Sequence, residues 1–151
     1  MQTNLSKTSQ GRVRIPLIEL DMVIALINRA DRHHTVATKL FSKIKKGSLG
    51  IVHVAVSALL EYDLVHRSKG YSESQIRKEV EKLLEIRNLR EAPLTSRVLT
   101  KASTIRERYG LSYFDSLHAA TALEEVDGVI ISVDPAYDLV DDLTRMDPYK
   151  I

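Results

Sequence analysis

The chain has 151 residues, a length that suits one domain of ordinary size and is short for two. Apolar residues make up 44% and charged residues 28%, values typical of a folded globular protein. A formal charge of +2 is close to balance and neither requires nor excludes a nucleic-acid partner. The lack of cysteine excludes disulfides, thiolate chemistry and cysteine-bound zinc, and it agrees with the cytoplasmic location that we expect.

The N-terminal residues differ in character from the rest of the chain. Residues 1–11 are polar, without the apolar stretch of a signal peptide, and predict a flexible tail ahead of a single domain over residues 12–151. The apolar run over residues 12–20 is typical of a strand, whose hydrogen-bonded part begins after Pro16 because proline has no amide hydrogen. No apolar run reaches the roughly 18 residues needed to cross a membrane, so we expect no membrane partner.

Strand-like and helix-like segments alternate along the rest of the chain. Strands are predicted over residues 12–20, 51–56, 91–94, 129–133 and 144–146. Helices are predicted over residues 22–27, 32–45, 57–67, 73–90, 96–109 and 113–125. This alternation predicts a three-layer α/β/α domain around a mainly parallel sheet of four or five strands. The continuous apolar character of the strands indicates burial on both faces of that sheet.

Predicted helix ends agree with this segmentation. Ser72 and Gln75 have the spacing of a capping box, and Asp31, Thr95 and Ser112 are each positioned to cap a helix. Gly110 is typical of a helix C-terminus because glycine adopts the left-handed conformation there without steric cost.

Four acidic residues occupy equivalent places in the alternation. Asp21 and Asp134 each follow a predicted strand. Asp115 lies in the first turn of a predicted helix, and Glu61 lies about one turn into another. Because crossover connections bring strand ends and helix starts to one edge of a parallel sheet, the four carboxylates can converge there.

Converging carboxylates repel one another, by about 3 kcal/mol for a pair roughly 5 Å apart at an effective dielectric near 20. A hard cation removes that repulsion, and oxygen ligands suit Mg²⁺ or Mn²⁺. A metal there can activate a water and stabilise charge on a phosphate. Each acid also has an ordinary explanation, as a helix cap, a favourable charge at a helix N-terminus or a solvated side chain. Spacing alone leaves both interpretations open.

Other polar residues have the same two interpretations, with the structural one favoured. His118 lies on the helix face of Asp115, where it either lines the pocket or packs in the core. Asp138, four residues beyond Asp134, is a candidate accessory ligand or a residue that hydrogen-bonds to a ligand. Two basic clusters either contact RNA phosphates or are solvated helix ends: Lys43, Lys45, Lys46, Arg87 and Arg90.

Four segments resemble the PIN domain, the family of metal-dependent ribonucleases that includes the VapC toxins: LIELDMVIALI, VSALLEYDLV, LSYFDSLHAATAL and IISVDPAYDLV. The resemblance covers residues 13–146, and the third segment is the most specific. It implies that the catalytic and metal-binding acids are Asp21, Glu61, Asp115 and Asp134. Ser132 falls on the family's hydroxyl position, which implies that it holds a metal-bound water or a neighbouring carboxylate.

The resemblance implies an endoribonuclease that uses Mg²⁺ or Mn²⁺ to cleave single-stranded RNA, as the toxin of a toxin–antitoxin pair. It also implies an antitoxin partner and a homodimer, for which residues 22–27 and the helix after Ser72 offer apolar surface. The family usually has a small or hydroxyl residue where this chain has Met22, so the shape of its pocket differs.

Other functions remain as alternatives. A PIN nuclease in RNA processing or quality control and a non-catalytic PIN-like binding module fit the same segments. A receiver-type signalling module is disfavoured, because such modules carry paired acids after the first strand and Asp21 stands alone there.

Overall fold

A computed structural model of the chain describes residues 5–151. Its strands are β1 (Leu17–Ile18), β2 (Val52–Ala55), β3 (Leu89–Ala92), β4 (Val129–Ile131) and β5 (Thr144–Met146). They form one sheet in the order β3-β2-β1-β4-β5, and every neighbouring pair is parallel. The predicted α/β class with a parallel central sheet is therefore confirmed.

Helices connect the strands and cover the sheet. They are α1 (Leu20–Ile27), α2 (His34–Lys46), α3 (Val56–Ser68), α4 (Glu73–Leu84), α5 (Ser96–Tyr109) and α6 (Tyr113–Glu125). Two short 3₁₀ helices, Pro135–Leu139 and Pro148–Lys150, follow β4 and β5. Over residues 5–151 we find no helix with both the length and the apolar character needed to cross a bilayer.

The central strands β1 and β4 are buried along their whole length, which explains their continuous apolar sequence. In register, Leu17 pairs with His53 and Ile130, and Ile18 pairs with Val54 and Ile131. β1 therefore lies at the centre of the sheet, and its carboxyl end sets the position of whatever follows it.

Several predicted boundaries differ from the structure. β1 is only two residues long and begins directly after Pro16, as the missing amide hydrogen predicts. The helix after Ser72 ends at Leu84 and not near residue 90, and β3 begins at Leu89. Asn88 separates them in a left-handed conformation, with φ of 68°, and its side-chain amide donates to the carbonyl of Ile44 at 3.0 Å. This turn, held by a contact from α2, ends the helix earlier than the periodicity suggests.

The predicted caps are mostly confirmed. Ser72 and Gln75 form both hydrogen bonds of the capping box, and Thr95 and Ser112 accept from the third amide of their helices. Gly110 ends α5 with φ of 71°.

The cap predicted at Asp31 is wrong. α2 begins at His34, two residues later than predicted, and has no side-chain cap. The Asp31 carboxylate instead accepts from the His33 amide at 2.8 Å, which stabilises the turn before the helix.

The apolar residues predicted for a dimer surface serve the chain's own core. Met22, Val23 and Ala25 of α1 are buried, while Ile27 at its end is 39% exposed. In α4, Leu84 remains 39% exposed. The surface available for association is thus narrower than the sequence suggests, because α1 packs against α2 and α3.

The N-terminal segment contacts the domain where it is described. Lys7 and Val13 form an antiparallel bridge, and Asp127 accepts from the guanidinium of Arg12 at 2.6 and 2.8 Å and from the amide of Ile15 at 2.7 Å. Residues 1–4 of the predicted tail lie outside the described residues. The domain boundary at residue 11 stays a prediction.

Candidate metal and active site

Asp21 lies at the carboxyl end of β1, in the first turn of α1 and not before it. Its Oδ2 accepts hydrogen bonds from the hydroxyl of Ser132 at 2.6 Å and from the amide of Val133 at 3.1 Å. Its Oδ1 is buried and has no hydrogen-bond partner within residues 5–151. A buried carboxylate oxygen without a donor is costly, so this atom points to a missing positive ligand.

Ser132 follows β4 and is fully buried. Besides donating to Asp21, its hydroxyl accepts from the amide of Asp134 at 3.0 Å. Asp134 in turn accepts from the amide of Ala136 at 2.9 Å and caps the 3₁₀ helix Pro135–Leu139. Because the cap uses Oδ1 of Asp134, its Oδ2 can bind a metal while the residue caps the helix.

Asp115 lies in the first turn of α6, where the hydroxyl of Ser112 accepts a hydrogen bond from the Asp115 amide at 3.3 Å. Its Oδ1 accepts from the hydroxyl of Tyr137 at 3.3 Å, and Tyr137 is fully buried. Burial raises the pKa of Tyr137, as do the negative charges of Glu19, Asp115 and Asp21, so its phenol stays protonated and remains a donor. Tyr137 was not identified from sequence, because an aromatic residue in a short apolar run indicates packing.

Glu61 lies on α3 and is partly exposed, with a carboxylate turned toward His118 of α6. Its Oε1 lies 2.8 Å from His118 Nε2, and His118 Nδ1 lies 2.8 Å from the hydroxyl of Ser57. His118 is fully buried, as the packing interpretation requires, but its ring nitrogens both contact polar groups of the site. His118 therefore packs in the core and also contacts polar residues of the site, so both predicted roles are partly confirmed.

Glu19 was not identified from sequence as a site residue. It precedes α1 and is 6% exposed, and its Oε2 accepts a hydrogen bond from the Asp21 amide at 3.1 Å. Its Oε1 lies 3.7 Å from His118 Nε2. The prediction that Asp21 is the single acid after the first strand is thus wrong, because Glu19 is a second acid there. The available signal was a charged residue inside the otherwise apolar run before Asp21.

Glu19, Asp21 and Asp115 lie close enough for their charges to interact. Burial raises the pKa of Glu19 well above its usual range, and the neighbouring charges of Asp21 and Asp115 raise it further. Burial also raises the pKa of Asp21, while the hydrogen bond from Ser132 opposes that rise. Two adjacent carboxyls with raised pKa values show that negative charge is poorly compensated here by the protein alone.

The structure brings the predicted residues together unequally. Asp21, Ser132 and Asp134 form one hydrogen-bonded unit. Asp115 accepts a separate hydrogen bond from Tyr137, which lies in the 3₁₀ helix that Asp134 caps. Within residues 5–151, the group whose ligand atoms all lie within 4.8 Å of one another is Glu19, Glu61 and His118. Of the predicted carboxylates, this tight group therefore contains Glu61 alone.

The donor set fits a divalent cation. All of the predicted ligands offer carboxylate oxygens, and Asp21 Oδ1 has no hydrogen-bond partner among residues 5–151, so a cation would supply one. Cation binding would also offset the burial that raises the pKa values of Glu19 and Asp21, and the repulsion from Asp21 and Asp115 that raises the pKa of Glu19 further.

Asp138 forms an ion pair with Arg145 of β5. Its two oxygens accept from Nε at 3.0 Å and from Nη2 at 3.2 Å, while Nη1 donates to the carbonyl of Ser132 at 3.0 Å. The contact supports a structural role for Asp138, and it ties the segment after β4 to β5.

Part of the predicted basic clusters lines a groove of about 610 Å³ on the surface of α2. Arg32, Lys39, Lys43 and Lys46 line it together with residues near the C-terminus, and none of the predicted carboxylates does. Lys43 donates to the carbonyl of Ile151 at 2.8 Å. The groove therefore belongs to a different surface from the acidic cluster.

Comparisons with solved structures agree with this architecture. The chain is similar to VapBC2 from Rickettsia felis bound to a promoter DNA fragment, with a TM-score of 0.66 and 15% identity over 87% of this chain and 97% of that one. It is similar to VapBC-1 from nontypeable Haemophilus influenzae, with a TM-score of 0.64 and 17% identity over 89% and 98% of the two chains.

A third solved structure is Mycobacterium tuberculosis VapC20, described as a Sarcin-Ricin loop cleaving toxin. Its TM-score is 0.59, with 18% identity over 76% of this chain and 85% of that one. No curated protein matched the chain in sequence. At these identities the similar structures establish the fold.

A family model provides the sequence evidence. The model described as PIN domain matches residues 21–143, which include all four predicted carboxylates and Ser132. Together with the parallel sheet and its strand-end acids, this match shows that the chain belongs to the PIN domain family.

Proposed function

We propose that this protein is a metal-dependent endoribonuclease that cleaves single-stranded RNA with Mg²⁺ or Mn²⁺. Asp21, Glu61, Asp115 and Asp134 are its catalytic and metal-binding acids, and Ser132 positions Asp21 and Asp134. The observation that carries the proposal is the buried Oδ1 of Asp21, which has no hydrogen-bond partner within residues 5–151. Membership of the PIN domain family supports it.

The side chains divide the work at the sheet edge. The hydroxyl of Ser132 donates a hydrogen bond to Oδ2 of Asp21 and accepts one from the amide of Asp134, so it fixes the position of one acid relative to the other. Tyr137 holds one oxygen of Asp115 and leaves the other for the cation. When bound, the cation lowers the pKa of a water and takes up charge on the phosphate. Glu61, partly exposed, orients that water or completes the ligand set.

We also propose that the protein is the toxin of a toxin–antitoxin pair and that it acts in the cytoplasm. Support comes from the similar structures, which include VapBC proteins and a toxin–antitoxin complex from Klebsiella pneumoniae. The test is growth arrest on induced expression, relieved by the product of a small neighbouring gene. Growth unaffected by active enzyme would favour a PIN nuclease of RNA processing or quality control.

A homodimer is part of the proposal. Leu60 and Leu64 lie one helical turn apart on α3, with 43% and 49% of their surfaces exposed. Ile27 and Leu84 are also exposed, so these four side chains are the apolar surface that we assign to the dimer contact. Light scattering at tens of micromolar should give twice the chain mass, and a strictly monomeric mass contradicts this assignment.

Cleavage of an internally labelled single-stranded RNA tests the enzymatic proposal. The protein should cut internally with Mg²⁺ or Mn²⁺, and a chelator should stop it. Asp115→Asn keeps the side-chain size but weakens the hold on the metal, so activity should fall by roughly 100-fold or more. Asp141→Asn, at an exposed ion pair with Arg108, is the matched control and should retain activity. Full activity in Asp115→Asn rules out the catalytic assignment, and no activity in metal-loaded parent protein contradicts the function.

A further inference from the structure

We propose that the groove on the surface of α2 binds a single-stranded segment of RNA outside the acidic cluster. The inference rests on the proposed function, because it names a second contact surface for the same substrate. The groove has a volume of about 610 Å³ and lies between α2, Arg32 just before that helix, and Pro148, Tyr149 and Ile151. Over the described part of the chain, no acidic side chain lines it.

Positive charge is concentrated in this part of the sequence. Residues 32–60 contain five of the chain's 22 Lys and Arg residues and none of its 20 Asp and Glu residues. This segment therefore carries a formal charge of +5 in a chain whose total is +2, so the remainder is acidic overall. A local excess of exposed positive charge attracts phosphates even when the whole chain is close to neutral.

The lysines of α2 form a stripe along the groove. Lys39, Lys43 and Lys46 are separated by four and three residues, so they lie on one helix face over about 10 Å. Lys43 donates to the carbonyl of Ile151 at 2.8 Å, and we therefore assign the phosphate contacts to the other two. Lys39 and Lys46 are exposed, and over residues 5–151 we find no ion pair for either.

Tyr149 indicates which polyanion the groove holds. It lines the groove with 58% of its surface exposed, and its hydroxyl lies 2.6 Å from Nδ1 of His33. The two rings also contact each other edge-on, with centroids 5.7 Å apart, so the phenol ring is fixed in place. An exposed aromatic ring beside a basic groove is the platform on which bases of single-stranded nucleic acids stack. An acidic peptide would pair with the lysines but has no base to place on this ring.

The first helix connects the groove to the acidic cluster. α1 has eight residues, so it is about 12 Å long, and it carries Asp21 in its first turn. The carbonyl of Ala25, one turn further on, lies 2.8 Å from Nδ1 of His34, the first residue of α2. An RNA strand whose scissile phosphate lies at Asp21 can therefore continue past α1 into the groove.

Binding of a labelled oligouridine of about 12 nucleotides, followed by fluorescence anisotropy in chelator, tests the inference without cleavage. Combining Lys39→Gln with Lys46→Gln should lower affinity near 0.1 M salt by roughly 10-fold or more. The slope of log affinity against log salt should shrink by about 1.4, since each phosphate contact of a single strand contributes about 0.7. Lys78→Gln combined with Lys82→Gln, at exposed positions of α4, changes the net charge equally and should leave the slope unchanged.

Variants of Tyr149 test base stacking. Tyr149→Leu should weaken binding by about 5-fold or more, because it removes the ring on which a base stacks. Tyr149→Phe loses only the hydroxyl near His33 and should bind nearly as the parent protein does. An oligoglutamate of the same length should displace the RNA far less well than unlabelled oligouridine.

Two results overturn the inference. One is a salt slope and affinity in the Lys39 and Lys46 double variant equal to those of the parent protein. The other is displacement by oligoglutamate as strong as by oligouridine, with Tyr149→Leu binding like Tyr149→Phe, which would make the groove a surface for an acidic protein segment. Because binding is measured in chelator, the groove can fail while metal-dependent cleavage stands, and cleavage can fail while the groove still binds RNA.

Discussion

The hydroxyl of Ser132 donates a 2.6 Å hydrogen bond to Asp21 Oδ2 across 111 residues of sequence. It joins the ends of the two central neighbouring strands, β1 and β4, and it also accepts the amide of Asp134. One buried hydroxyl therefore sets the relative position of two acids of the candidate site.

Ser132→Ala should weaken metal binding by about 10-fold or more, because a hydrogen bond to a charged group contributes about 1.5–3 kcal/mol. RNA cleavage should fall in parallel. Isothermal titration with Mn²⁺ measures the first effect. Thr121→Val is the control, since this buried hydroxyl bonds only the carbonyl of Leu117 within α6. Equal metal affinity in Ser132→Ala and the parent protein contradicts the positioning role.

Divalent metal should stabilise the folded protein. A ligand that binds only the folded state adds about 2.7 kcal/mol when its free concentration is about 100 times Kd. Thermal melting with millimolar Mn²⁺ should therefore rise by several degrees, and Asp21→Asn combined with Asp115→Asn should abolish the rise. Asp141→Asn combined with Asp142→Asn, at exposed positions, should retain it. An unchanged melting temperature in the parent protein argues against the site.

Tyr137→Phe removes only the oxygen that contacts Asp115. Since this hydrogen bond to a carboxylate is long, at 3.3 Å, we expect it to contribute about 0.5–1.5 kcal/mol, so metal affinity should fall roughly 3- to 10-fold while the buried ring still packs. Melting in chelator should change little, and it serves as the check on packing. A variant that binds Mn²⁺ as tightly as the parent protein shows that Asp115 needs no such support.

The Asp127 carboxylate should make stability depend on acid pH. Its pKa is lowered, first by the hydrogen bond from Arg12 and also by the Ile15 amide. Between the folded and unfolded pKa values the unfolded state binds more protons, so stability rises with pH and is lost as pH falls through the folded pKa, below about 4. Asp127→Asn should lower the melting temperature at pH 7 by a few degrees and flatten this acid dependence.

Melting curves of the parent protein and Asp127→Asn between pH 2.5 and pH 7 measure that difference. Asp63→Asn is a suitable control, because Asp63 pairs with Arg67 on the solvent side of α3. Identical slopes in the parent protein and Asp127→Asn would show that the Arg12 contact does not influence folding.

The carboxylates at strand ends and helix starts were predictable because they depend on local pattern. Apolar runs located β1 and β4, and the spacing of caps located α6, so Asp21, Asp115 and Asp134 could be assigned to one edge. Glu19 and Tyr137 escaped, since nothing in a short apolar run tells which polar atom faces a distant carboxylate. His118 was placed on the correct helix face, but its partners Ser57 and Glu61 lie on another helix.

Periodicity, caps and turn residues act over a few neighbouring positions, so the amino-acid sequence was enough to predict the alternation of strands and helices. It was also enough to predict that Asp21, Asp115 and Asp134 lie near one edge of the sheet, since parallel topology returns strand ends there. The contacts between side chains required the folded structure: Ser132 with Asp21, Tyr137 with Asp115, and His118 with Glu61 and Glu19. These pairs are 22 to 111 residues apart along the chain and depend on side-chain direction, and close packing of the core selects them.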